Sequence, residues 1–193
     1  MARPSKKDQR RAEILAAFET CVARYGVEGA TLERVAEEAG LARALIRHNV
    51  GNRDDVLSAF VETFLNRSTH EVDEMISELP DTKQIDTLID WLFDPAYSDP
   101  KVVVIYEALT TAAANDADLA KKLRKWAREF VAAINALLAK NHPRAKTKDL
   151  DAVAAGLTGI YFNVESMTLL GRMSDLREAS KAAAIRLVQT LKT

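Results

Sequence analysis

The chain has 193 residues, 48% of them apolar and 28% charged, enough to build a core and too apolar for an intrinsically disordered chain. Its single cysteine, Cys21, excludes an intrachain disulfide and a cysteine-built zinc site. The net charge of −1 excludes a uniformly basic polyanion binder, yet it hides a division: residues 1–53 carry ten Lys and Arg against seven Asp and Glu, and residues 54–193 carry seventeen against twenty-one.

Seven Gly and five Pro among many Ala, Leu, Glu, Lys and Arg favour helix throughout. The spacing of apolar residues predicts a first helix over about residues 6–25, with Ile14, Leu15, Phe18, Cys21, Val22 and Tyr25 on one face and Gly26 and Gly29 at its end. A short second helix follows Thr31, whose hydroxyl can cap it, and carries the stripe Leu32, Val35, Ala36 and Ala39 up to a break at Gly40. A third short segment, LARALIRHNV, runs to Gly51. Asn52 then caps a long helix toward Leu79, with Asp54 and Asp55 in its first turn, where the helix dipole favours them. TKQIDTLIDWLF reads as the fifth helix and DPAYSDP as a loop. Asp99 and Pro100 open the sixth helix, KVVVIYEALTTAAA. Asn115 or Asp116 starts the seventh, in which Leu119, Leu123, Trp126, Phe130, Ile134 and Leu137 share a face. Beyond the basic loop KNHPRAKTK come an eighth helix over about 148–172 and a ninth capped by Ser174. That makes nine helices and an all-α fold; VVVIY could be a strand, but it has no sheet to join. No apolar run approaches the ~18 residues of a membrane span, and MARPSKKDQRR is followed by no signal core, so a soluble cytoplasmic protein without membrane contact is expected.

Residues 31–57 are the informative stretch. Two short helices joined at Gly40 read as a helix-turn-helix, with Leu32, Val35, Ala36, Ala39, Leu41, Ile46 and Val50 packed inward. The opposite face of the third helix then presents Arg43, Leu45, Arg47, His48 and Asn49, which suits phosphates and base edges in a major groove. A helical hairpin with a solvated polar face is the alternative at this point.

The order Thr31, Val35-Ala36, Ala39-Gly40-Leu41, Ile46, Val50 and Arg53 resembles the TetR/AcrR transcriptional regulators, and the nine-helix count extends the resemblance along the chain. Departures from the family pattern are Ala42 for a capping Ser, Ala44 for Gly, and Arg47, Asn49 and Val50 where the family often has Tyr, Tyr and Phe. The resemblance implies a three-helix DNA-binding domain over residues 1–53 and a six-helix effector-binding and dimerisation domain over 54–193. It implies a homodimeric repressor, released from a near-palindromic double-stranded operator by a small-molecule effector. In that reading Arg43 and Leu45 meet base edges, Ala44 between them lies on the same DNA-binding segment, and Thr31, Arg47, His48, Asn49 and Arg53 mostly hold phosphates. The basic arm Arg3, Lys6, Lys7, Arg10 and Arg11 adds backbone contacts or is a solubilising tail. A helical interaction module that has kept the fold without operator binding is the other function carried forward.

In the larger domain Phe64, Trp91, Tyr106, Trp126, Phe130, Phe162 and Met167 are candidates for an apolar pocket, with Asn163 and Glu165 as polar members. Ala155, Gly156 and Gly159 give the eighth helix a small-residue face, which with Leu187, Val188 and Leu191 forms the expected dimer interface. His48, His70 and His142 lie on separate segments without metal-ligand spacing, and there is no nucleophile elbow or Gly-rich phosphate loop. Neither catalysis, nor a metal, nor a cofactor is expected.

Overall fold

A computed structural model describes residues 5–171 and 173–191. Nine α-helices are found among them: α1 Lys6–Gly29, α2 Leu32–Ala39, α3 Arg43–Asn49, α4 Arg53–Ser77, α5 Gln84–Leu92, α6 Pro100–Ala113, α7 Ala117–Asn141, α8 Thr147–Met167 and α9 Ser174–Gln189. Single 3-10 turns cover Pro95–Tyr97 and Thr168–Leu170.

Local chemistry sets most of the helix starts. Ser5 and Asp8 form a reciprocal capping box on α1, and the Thr31 hydroxyl accepts from the Arg34 N–H on α2. Asn52 Oδ1 accepts from the N–H groups of Asp54 and Asp55, at 2.8 and 3.0 Å. Asp99 takes the N–H of Lys101 ahead of α6, and Asp116 those of Asp118 and Leu119 ahead of α7. Each cap satisfies amides that a helix start otherwise leaves unpaired.

Three expectations need correction. The first helix does not stop at Tyr25; its axis turns at Gly26 (φ 71°) and a further turn reaches Gly29. Tyr25 is consequently 50% exposed rather than on the buried face, and the Arg34 guanidinium lies 4.4 Å above its ring. Arg34 also donates to Gly29 O at 2.8 Å, so α2 fastens the added turn from outside. The eighth helix ends at Met167, and Ser174 is the first residue of α9, whose cap position is Met173 with no side-chain bond.

The chain divides into two compact units. The first comprises residues up to Arg67 together with Val104–Lys121. In it Ile14, Phe18, Val22, Val35, Ile46, Val56 and Phe60 are almost fully buried, and Phe60 packs between Phe18 and Phe64, at ring-centre distances of 5.4 and 5.7 Å. The second comprises Ser68–Val103 and Lys122–Thr193. Its core joins Ile85, Leu88, Ile89 and Phe93 to Phe130, Ile134, Leu137 and Leu138 of α7, to Leu150, Val153, Ala154 and Leu157 of α8, and to Ala184 and Val188 of α9. The predicted α7 stripe, from Leu119 to Leu137, is buried at all six positions.

Candidate nucleic-acid interface and ligand cavity

The geometry of α2 and α3 follows from two features of the sequence. Val35 and Ile46 are wholly buried, and removing the Ile46 side chain from water contributes roughly 1.5–3 kcal/mol. Gly40 ends α2 in the left-handed region (φ 63°), its N–H directed to Ala36 O and Glu37 O, and Leu41 N–H returns to Ala36 O at 2.9 Å. That reversal suits a residue without a side chain.

With Ile46 turned inward, Arg43, Ala44, Leu45, Arg47 and His48 are exposed. Leu45, at 43% exposure, is the large apolar member of this group. Asn49 is half-buried and folds back on its own helix, Nδ2 donating to Leu45 O at 2.7 Å. Ala42 stands at the start of α3 and provides no side-chain cap. Arg43 Nη1 lies 2.7 Å from Oε1 of Glu33 on α2.

Arg53 is placed differently from its neighbours on the candidate face. Its Nη2 donates to Val27 O at 2.5 Å, with Glu28 and Asp54 carboxylates at 3.8 and 3.6 Å, and its side chain is only 28% exposed. It therefore fastens the start of α4 to the last turn of α1. It also lines a cavity of about 450 Å³ with Leu57, Asn115 and Asp116. In the arm, Lys6, Lys7 and Arg11 are exposed, Arg10 pairs with Glu13 at 2.8 Å, and Arg3 lies outside the described residues.

A larger cavity, about 1060 Å³, belongs to the second unit. Phe93, Val164, Met167 and Leu176 supply apolar wall, and Asp90, Ser98, Arg177 and Lys181 supply polar wall. Behind it Glu165 is buried, accepting from Arg177 Nη1 at 2.9 Å and from Ser98 Oγ at 2.5 Å. Lys181 Nζ sits 2.7 Å from Asp90. Burial, with the Glu165 charge adding and Arg177 opposing, pushes the Tyr161 phenol up to about 12.

Of the expected pocket residues, Met167 lines this cavity. Trp126, Phe130 and Phe162 instead fill the core: Trp126 and Phe162 stack at 5.8 Å with planes 5° apart, and Phe130 lies 5.1 Å from Phe162. Trp91 packs on Tyr97 at 5.8 Å, and Asn163 is exposed. Phe64 and Tyr106 belong to the first unit, where burial raises the Tyr106 phenol. Ser98, Arg177 and Lys181 were missed in the sequence because they come from a loop and from α9 with no shared spacing. Asp90 and Glu165 gain their partners only when those segments meet.

The expected dimer positions also separate. Ala155 and Gly159 are exposed, and a Cβ at Gly159 would meet nothing within 4 Å. Gly156 faces Leu187 Cδ2 of its own chain at the distance (2.7 Å from a built Cβ) that only a glycine permits without a shift. Val188 and Leu191 are buried in the chain's own core.

No family model matches the chain. Over 119 residues it is 24% identical to the HTH-type transcriptional regulator BetI of Vibrio vulnificus, which is 60% of each chain. Over 48 residues it is 42% identical to the HTH-type transcriptional repressor AcnR of Corynebacterium jeikeium, 25% of each. The matched segments thus span less than two thirds of these relatives. Among solved structures, a protein from Pseudomonas aeruginosa PAO1 assigned as a transcriptional regulator superposes with a TM-score of 0.80 at 18% identity, over 97% of this chain and 92% of that one. A TetR transcription regulator from Haloarcula marismortui superposes at 0.74 with 19% identity, over 95% and 98%. No helix among the described residues is long and apolar enough to cross a membrane.

Proposed function

From the fold it shares with TetR-family transcriptional regulators, we propose that this chain is a homodimeric DNA-binding regulator, a repressor released from its operator by a small molecule. The observation that carries the reading is the α2–α3 pair: an inward Ile46 that fixes the roll of α3, and an outward face of Arg43, Leu45, Arg47 and His48. Arg43 and Leu45 at the start of α3 reach base edges, and Arg47 and His48 hold phosphates, while the Thr31 hydroxyl is engaged with the Arg34 N–H and the Glu33 carboxylate and supports the interface from within. The division of labour follows the expected domains, residues 1–53 on DNA and 54–193 for effector and dimer. Asn49 and Arg53 support the interface from within, since both side chains are engaged with backbone carbonyls.

The effector occupies the cavity walled by Phe93, Met167 and Leu176. Pro100, the first residue of α6, lies on that wall, two residues beyond Ser98 and its bond to Glu165. From Val104 onward α6 belongs to the same compact unit as α2 and α3. A ligand that shifts Ser98 therefore acts beside the start of a helix whose residues from Val104 onward belong to the unit that holds α2 and α3. It changes operator affinity only as far as it binds the two arrangements unequally, and operator must weaken ligand binding by the same factor.

Fluorescence anisotropy against the duplex that the protein selects from a randomised library tests the DNA reading. Selection should yield two half-sites about one helical turn apart or a multiple of it. Absence of any selected duplex overturns it. Sedimentation tests the dimer: Gly159→Trp and Ala155→Trp place bulk on open positions of the protomer, so both variants should stay folded, become monomeric and lose the selected duplex. A wild type that is monomeric and still binds tightly overturns the two-headed mechanism.

A further inference from the structure

The ion pair between α2 and α3 joins two residues with opposite consequences for a polyanion. Arg43 is the cation at the start of α3, 54% exposed; Glu33, in the first turn of α2, is 59% exposed. The Glu33 carboxyl is held below the usual carboxylate range by its own backbone N–H and the Thr31 hydroxyl, with the Arg43 and Arg47 charges adding to them. A carboxylate thus already occupies the start of α2, where backbone amides and a hydroxyl suit an anion.

The pairing is one-sided. Glu33 faces Nη1 of Arg43 as an ion pair, and no other partner of Arg43 is found among the described residues. The Nε–Nη2 edge, with two parallel N–H groups, remains for a second planar acceptor. Guanine O6 and N7 match that edge. A phosphate gains much less, because the guanidinium charge is partly neutralised and Glu33 repels a second anion at close range.

Resting on the DNA-binding reading above, we propose that Glu33 is a specificity-determining positioning residue: it holds Arg43 by Nη1, aims its other edge at a base, and penalises contacts to phosphate alone. Glu33 touches no base itself. It sharpens the ratio between operator and other DNA and lowers the affinity for DNA in general.

The test compares wild type, Glu33→Gln, Arg43→Ala and the double variant by anisotropy over a salt series. The probes are the duplex selected by wild type and a scrambled duplex of the same length, and thermal melts confirm that each variant is folded. Glu33→Gln should bind the scrambled duplex roughly two- to fivefold more tightly per half-site, the range of a surface ion pair. Its log–log salt slope there should steepen by about 0.9 per half-site, as one more cation reaches phosphate. Affinity for the selected duplex should hold or fall, so the ratio drops. In the Arg43→Ala background the Glu33 substitution should leave the ratio unchanged. A ratio unaltered by Glu33→Gln overturns the proposal, as does an equal drop without Arg43, which would mark simple charge repulsion. A wild type that selects no duplex removes the DNA-binding reading, and this inference with it.

Discussion

Gly51 sits between α3 and α4 with φ 130°, a conformation that residues with a side chain rarely adopt. A Cβ built there would lie 2.7 Å from Asp55 Cβ and 2.8 Å from its Cγ, closer than real side chains approach. Asp55 cannot simply yield, because its Oδ2 accepts the Asn52 N–H at 2.8 Å while Asn52 Oδ1 accepts the Asp55 N–H at 3.0 Å. Gly51→Ala therefore costs backbone strain, about 1–3 kcal/mol, and the reciprocal half of the α4 cap, about 1 kcal/mol. The sum is about 2–4 kcal/mol. Urea unfolding followed by circular dichroism reads this as a lower midpoint with an unchanged slope. Asp55→Ala is the control: alone it costs about 1 kcal/mol, and added to Gly51→Ala it should cost much less, because the cap is already lost. A Gly51→Ala cost below about 0.5 kcal/mol, or strict additivity with Asp55→Ala, would refute the coupling of this turn to the cap.

Arg43→Ala should lose about 1–3 kcal/mol of discrimination at one base position and leave non-specific binding nearly intact, which a panel of single-base operator variants measures. Arg53→Ala should destabilise the fold by roughly 1–2 kcal/mol in urea, the lower part of the range for a charged donor because the side chain is partly exposed; an unaffected midpoint with a salt slope flattened by a whole charge would instead put Arg53 on a phosphate. Tyr161→Phe reports on pH. The phenol is raised from 10.0 to about 12 in the fold, so its contribution is complete below pH 10 and is lost as pH rises from 10 toward 12, roughly 2–3 kcal/mol in all. The variant should lose less stability than wild type over that window, and identical alkaline profiles would contradict the burial of this phenol.

Features that depend on neighbours a few residues apart are legible along the chain. Thr31, Asn52, Asp99 and Asp116 cap as expected, because a cap is a bond from a side chain to an amide two or three positions on. The α7 face is legible for the same reason: a helical period states which side of the cylinder leaves water. It does not state what that side packs against. Trp126 and Phe130 were expected to line a pocket and instead fill a core with Tyr161 and Phe162, and only the approach of α8 separates the two outcomes. Val188 and Leu191 show one apolar stripe serving the chain's own core where a partner's surface was expected. Tyr25 keeps the phase of the α1 stripe yet is 50% exposed where the axis turns at Gly26, since a helical period gives the side of the cylinder and not what covers it. Arg53 and Glu33 depend on contacts 26 and ten positions away, Val27 and Arg43, which chain order alone does not bring together. Local hydrogen bonding and burial period are written along the chain; the partner of a charge, and whether a ring fills or lines, are settled only when segments distant in sequence compete for the same space.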